Sequence, residues 1–408
     1  MTRRVVVTGI GLVTSIGSDV KTFWDALLAG RSGITPVRSF DTSAYNVHLG
    51  GEVVGWSAEG VATRLDLKQV GRATQFAIVA ARRALEDAGI DPTSLDPTRA
   101  GVSMGTTSGE PREVETFNDA FVTGDFAAIG SQLAIRYPCG SIPGRMAADL
   151  GFAGPNTMIP TACAAGNFAA AHAMECLRGG SADLMLAGGS DSFSRITYTG
   201  FARLSAIAPA KCQPFDLNRK GMIPAEGAAV LVLEPAASAE RRGARIYAEL
   251  LGYGLSCDAH HMTATAPDGE GPARAMQAAL ADAGLSPEGI DYISAHGTGT
   301  PTNDRCETLA IKRVFGASAP KVPISSAKSM LGHTMGAASA IEAAICALAI
   351  HTGRIPPTAN FETPDPDCDL DYVPNQAREA RVDVAMNNAY AFGGNNASLI
   401  LGRYPAGA

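Results

Sequence analysis

The chain has 408 residues, is 46% hydrophobic and 18% charged, and carries a formal net charge of −7. This describes a soluble, globular chain long enough for two core-bearing halves, and its acidic balance disfavours nucleic acid or an anionic membrane as the main partner. Eight cysteines (139, 163, 176, 212, 257, 306, 346, 368) lie without C-x-x-C spacing, so neither a zinc site nor a disulfide framework is indicated.

The start, Met1-Thr2-Arg3-Arg4-Val5-Val6-Val7, has too short an apolar stretch for a signal peptide. No uninterrupted run is long enough to span a membrane, and a reducing, cytoplasmic compartment is expected. Ala84-Leu85-Glu86-Asp87-Ala88-Gly89-Ile90-Asp91-Pro92 ends an amphipathic helix with a glycine stop and a proline beyond. A short apolar strand follows, running from Gly101 into Thr107. Asn156 to Pro160 is a further strand, and it breaks at Thr161-Ala162-Cys163-Ala164-Ala165-Gly166 into a small-residue helix, Ala164 to Leu177. A thiol at such a corner faces the unpaired N–H groups of a helix start, which favour thiolate and can hold an oxyanion. Cysteine is also a common small buried hydrophobe, and the motif alone leaves that reading open.

The pattern then recurs. Ala229 to Leu233 closes the first half, and the join lies between Ala236 and Tyr253. Ala279-Leu280-Ala281-Asp282-Ala283-Gly284-Leu285-Ser286-Pro287 repeats the first helix end, and Tyr292 to Thr300 repeats strand-into-Gly/Thr. Val322 onward, with the small-residue helix Thr334 to Ile350, repeats the strand–helix unit. Two related α/β halves are expected, 1–250 and 251–408, with their inner helices sandwiched between sheets. Within the second half, His296 opens the loop Gly297-Thr298-Gly299-Thr300, either to meet a substrate arm or only to satisfy a buried carbonyl. Lys328 and His333 share a nearly uncharged run, Ser325 to Gly336. A helix start should keep His333 neutral, and a buried Lys328 needs an acid; Glu307 is the candidate. Asn387 to Asn396, containing Tyr390-Ala391-Phe392-Gly393-Gly394, is either a tight hairpin turn or a mobile loop with an aromatic gate.

Taken together, these motifs resemble the β-ketoacyl-acyl carrier protein synthases of the elongating Cys-His-His type, synthase II-like, over essentially the whole chain. Val7-Thr8-Gly9-Ile10-Gly11, Ser32-Gly33-Ile34, Phe40 to Tyr45 and Pro214-Phe215-Asp216 also carry the resemblance. It implies the thiolase fold, a five-layered α-β-α-β-α body. It implies Cys163 as acyl-accepting nucleophile, His296 and His333 as the decarboxylation pair, Lys328 as their support and Glu307 as its carboxylate. Phe392 becomes the gate, and the N–H groups of Cys163 and Phe392 the oxyanion hole. Thr298 and Thr300 would hold a phosphopantetheine arm delivered by an acyl carrier protein; no metal or diffusible cofactor is implied. Phe201, Ser108 and Tyr390 would line the substrate pocket. Arg64, Lys68, Arg72 and Arg203 are docking candidates for the carrier protein, although solvated helix faces explain them equally well.

Some positions depart from the usual pattern. Tyr390-Ala391 stands where Phe-Gly is usual, Ser108 where a branched apolar residue is usual, and Ile223 to Gly227 is poorer in Gly and Asp. Similar substitutions occur in type II polyketide and polyene ketosynthases, so both substrate classes stay open, as do a homodimer and a heterodimer with a chain-length factor. A non-catalytic, chain-length-determining partner subunit is the alternative; its expected signature is a residue other than cysteine at 163. Thiolases and starter-type synthases are disfavoured because histidine stands at both 296 and 333 and the Phe392 loop has no cysteine.

Overall fold

The computed structural model describes residues 3–58, 60–130 and 133–405; Met1 and Thr2 of the start segment lie outside them. Strands of alternating or continuous apolar residues build the sheets. In the first half these are β1 (Val5–Val13), β2 (Ala100–Gly105), β3 (Asn156–Ile159), β4 (Leu184–Asp191) and β5 (Gly227–Pro235). In the second they are β6 (Ala248–Cys257), β7 (Tyr292–Ser294), β8 (Ile324–Ser325), β9 (Val384–Tyr390) and β10 (Asn395–Gly402). The sheet order is β3-β2-β4-β5-β1 in the first half and β8-β7-β9-β10-β6 in the second. These are one order written twice. The strand senses repeat as well: parallel, parallel, antiparallel, antiparallel in each. β1 and β6 pair antiparallel through Val5↔Leu250, Val6↔Glu249 and Val7↔Ala248, joining the halves. The topology divides before Ala248, so a boundary at 250/251 falls inside β6.

Five helices give the layers. α1 (Arg72–Asp87) covers the outer face of the first sheet, and α3 (Glu270–Ala283), with α4 (Pro301–Phe315) against it, covers that of the second. α2 (Ala165–Arg178) and α5 (Ala338–Thr352) lie between the sheets, each touching strands of both halves. This is the five-layered thiolase arrangement. The repeated sequence element behaves identically in both copies: α1 and α3 run out into left-handed glycines, Gly89 at φ +66° and Gly284 at φ +65°.

Every residue of α5 from Ala338 to Ile350 is buried. The segment Met335–Thr352 is long and apolar enough to cross a membrane, which corrects the expectation that no run is, but 89% of it is buried inside the body. Its apolarity serves a core helix touched on all sides. Close packing there depends on small residues. A Cβ at Gly166 of α2 would stand 2.5 Å from the Ala340 nitrogen and 2.8 Å from the Ala340 Cβ of α5. Gly166→Ala must therefore push α2 and α5 apart, and should cost about 1–3 kcal/mol. A lowered thermal midpoint with slower Cys163 acylation is the expected measurement; an unchanged midpoint would refute the tight crossing.

Candidate active site

The ends of the strands point their loops at one cavity of about 290 Å³. Cys163, His296, Thr298, Thr300, His333, Tyr390, Phe392 and Phe201 all line it. Cys163 follows β3 through a sharp corner: Ala162 takes φ +50°, a left-handed conformation costing a non-glycine residue roughly 1–2 kcal/mol. The strain turns the chain so that Cys163 sits in the short turn Ala162–Ala164 at the head of α2.

His333 reaches the sulfur from the other half, its Nε2 standing 3.0 Å from Cys163 Sγ. The Met335 N–H donates to His333 Nδ1 at 3.2 Å, which places the lone pair on Nδ1 and the proton on Nε2. His333 is thus a neutral Nε2–H donor aimed at sulfur. His296 completes the group, its ring edge-on to that of His333 at 5.5 Å between centroids. Both imidazoles are held well below the ordinary histidine range, first by burial and then by the nearby charge of Lys328. The neutrality expected of His333 holds, but burial rather than a helix start is its main cause. The thiol behaves differently from the helix-start expectation: burial pushes Cys163 up to about 12 against the opposing pull of Lys328, so the resting sulfur is protonated.

Lys328, only 1% exposed, heads the short turn Lys328–Leu331 after β8. Its partner is Glu342 of α5, in a buried ion pair. This corrects Glu307. That carboxylate instead accepts the backbone N–H groups of His296 and Gly297, each at 2.8 Å, and so fixes the His296 loop. Burial raises Glu307 to about 8. One sequence signal marks Glu342 as a buried charge in need of a counter-charge, without naming which: it is the sole acid in the apolar run Ala337 to Ile350.

Asp191, at the end of β4, ties the halves together beneath the cavity. It accepts Thr106 Oγ1 (2.8 Å) and the N–H groups of Thr107 (2.7 Å) and Ser108 (3.1 Å) from one half, and the Gly336 N–H (2.7 Å) from the other. These bonds turn the segment so that Ser108 is exposed and, in the single chain, does not line the Cys163 cavity, contrary to expectation.

The Asn387–Asn396 segment forms the hairpin of its first reading. β9 and β10 form a hairpin closing at Tyr390↔Asn396, and its turn carries Phe392 into the cavity lining. Phe392 is 39% exposed and meets Phe201 at 5.7 Å between centroids. The hydrogen bonds of the turn use the N–H groups of Ala391, Gly393 and Gly394, and that of Phe392 is not among them. Thr298 and Thr300 share a hydroxyl hydrogen bond of 2.9 Å at the cavity wall. Of the docking candidates, Arg64, Lys68 and Arg203 are exposed. Arg72 is not free. Its guanidinium is held by Glu226 at 2.7 and 2.8 Å and lies over the Phe76 ring at 4.6 Å, so it is a structural cation.

Comparison with known proteins agrees with this geometry. Residues 2–239 match the family model for the β-ketoacyl synthase N-terminal domain, and residues 247–362 that for the C-terminal domain. The 3-oxoacyl-[acyl-carrier-protein] synthase 2 of Staphylococcus aureus (strain COL) is 40% identical over 410 aligned residues, covering 99% of each chain. Among solved structures, a chain of the ishigamide ketosynthase/chain length factor pair superposes with a TM-score of 0.96 at 45% identity, covering 99% of this chain and 100% of that one. A type II polyketide assembly, an acyl carrier protein in complex with its ketosynthase bound to the hexaketide, gives 0.92 at 36%, with 99% and 100% covered. The matches span both halves, the sulfur of one and the imidazoles of the other, and the chain belongs to the β-ketoacyl synthase family.

Proposed function

We propose that this chain joins an acyl group held on Cys163 to a malonyl unit delivered on the phosphopantetheine arm of an acyl carrier protein. The single observation that carries this is the meeting of Cys163 Sγ with His333 Nε2 at 3.0 Å, with His296 on the same cavity. In the first step the Cys163 sulfur attacks the acyl thioester carbonyl. The His333 Nε2–H steadies the sulfur as it gives up its proton, which leaves on the carrier's thiol. The Cys163 and Phe392 N–H groups receive the oxyanion.

In the second step the malonyl thioester loses carbon dioxide. The bonding pair moves into the enolate, and the two neutral imidazoles donate to its oxygen. The enolate carbon then attacks the acyl-Cys163 carbonyl, and the sulfur is released as thiolate, which takes up one proton from solvent to return to the resting thiol. The product is a β-ketoacyl thioester two carbons longer. Each step is served by side chains and by the thiol that the substrate brings, so no diffusible cofactor is required.

Arg64, Lys68 and Arg203 remain as carrier-protein contacts. A second chain of the same fold, either another copy or a chain length factor, is the expected partner. In support, the exposed aromatics Phe117, Phe121 and Phe126 form an apolar face, with ring centroids 6.1 Å apart along it. The 45% identity to a chain of a ketosynthase/chain length factor pair favours the heterodimer. We place the enzyme in the cytoplasm, which suits its eight unpaired cysteines.

The test separates the half-reactions. His296→Ala should slow carbon dioxide release from a malonyl thioester by about 10²–10³-fold while sparing Cys163 acylation. His333→Ala should slow both, because its Nε2 touches the sulfur. Equal losses in both steps for His296→Ala would contradict the assignment.

A further inference from the structure

The Tyr390 hydroxyl is a polar group of the cavity wall that the chemistry above leaves idle. Tyr390 ends β9, lines the cavity beside Phe392 and is 3% exposed. Its hydroxyl is buried and has no hydrogen-bond partner among the described residues. The same is true of His296 Nδ1 on the neighbouring ring. The Tyr390 and His296 rings meet at 5.7 Å between centroids, inclined at 64°. A phenylalanine would supply the same ring without burying an unmatched O–H, so the hydroxyl asks for a partner that arrives with the substrate. Burial raises Tyr390 well above the ordinary phenol range, and the group stays a donor throughout the working range of pH.

Its position identifies that partner. His333 Nε2 stands 3.0 Å from the sulfur, the His296 ring 5.5 Å from the His333 ring and the Tyr390 ring 5.7 Å from the His296 ring, all on the one cavity. The acyl group occupies the sulfur end. The enolate oxygen belongs at the two imidazoles. The carboxylate of the extender unit is joined to the carbon next to that oxygen-bearing one, so it is the substrate anion within reach of a hydroxyl whose ring neighbours His296.

We infer that Tyr390 is a positioning residue whose hydroxyl donates a hydrogen bond to the carboxylate of the incoming extender thioester. This rests on His296 and His333 as the decarboxylation pair. The bond is made to an anion by a buried hydroxyl and weakens as neutral carbon dioxide departs. It therefore strengthens substrate binding more than the transition state.

Tyr390→Phe in the full-length enzyme is the test, because it removes one oxygen and keeps the ring. With malonyl pantetheine as substrate, KM for carbon dioxide release should rise about tenfold, the worth of one charge-assisted hydrogen bond, and kcat should rise by a smaller factor, so that kcat/KM falls by less than KM rises. Acylation of Cys163 by a saturated acyl thioester should change far less, and the thermal midpoint should stay level or rise, since the hydroxyl has no partner among the described residues. An unchanged malonyl KM overturns the inference and leaves the hydroxyl to bound water. A loss confined to acylation overturns it in favour of an acyl-chain contact, and a lowered midpoint with both steps impaired in favour of a structural role. If the wild-type enzyme releases no carbon dioxide from malonyl thioesters, the condensation reading itself falls; an active wild type with an indistinguishable Tyr390→Phe sinks this inference alone.

Discussion

Cys163→Ala should abolish acyl transfer, a loss on the order of 10⁴-fold or more, and leave the folded chain otherwise unaltered. Alanine keeps the Cβ that packs at the head of α2, and the deleted sulfur faces the cavity and His333 rather than the core. The thermal midpoint should therefore hold. Mass spectrometry of the wild-type enzyme after incubation with an acyl thioester should locate one acyl group on the Cys163 peptide. Cys257, which is exposed, is the most accessible competitor, and half-buried Cys139 and Cys176 come next. An acyl adduct on any of these that persists in Cys163→Ala, with transfer activity retained, would end the assignment of the nucleophile.

The second large effect lies beneath the reacting groups. Lys328 and Glu342 are 1% and 2% exposed and neutralise each other inside the protein. Lys328→Met strands a buried carboxylate and should cost about 3–5 kcal/mol in urea unfolding. Adding Glu342→Met removes the stranded charge and should restore most of that stability. Activity should not return with it. Lys328 is among the causes that hold both imidazoles below the ordinary histidine range. Its loss moves both upward, although burial still holds them down. Imidazolium then forms at a higher pH than in the wild type, and the acid limb of carbon dioxide release should shift toward neutrality in the double variant. Wild-type stability in Lys328→Met would show that the pair is not buried as described.

The local chemistry of the chain was legible where a short stretch carries its own instructions. The two Ala-Leu…Ala-Gly helix ends announce the duplication, because each must stop on a residue that tolerates positive φ. The strand–cysteine–small-residue helix announces a corner. What could not be read is pairing across distance. Glu307 and Glu342 lie at comparable separations from Lys328 in sequence, and only the wrapping of α5 between the sheets decides which carboxylate meets the amine. Arg72 reads as a surface cation until Glu226, 154 positions away, is seen to hold it. Ser108 reads as pocket lining until Asp191 is seen to turn its segment outward. The thiol reads as activated because a helix start is visible in sequence, whereas the burial that outweighs it is a property of the whole assembly.

The identical strand order has one more implication. β3 and β8 are the same strand of the repeated plan, and so are the helices that follow them, α2 and α5. Cys163 and the Lys328–His333 segment therefore occupy the same station of two copies, facing each other across a pseudo-twofold axis. Two separate, identical half-length chains would put one residue type at both stations, sulfur against sulfur or imidazole against imidazole. Fusing the copies into one gene lifts that restriction, and a nucleophile can then be set opposite its own hydrogen-bond donor.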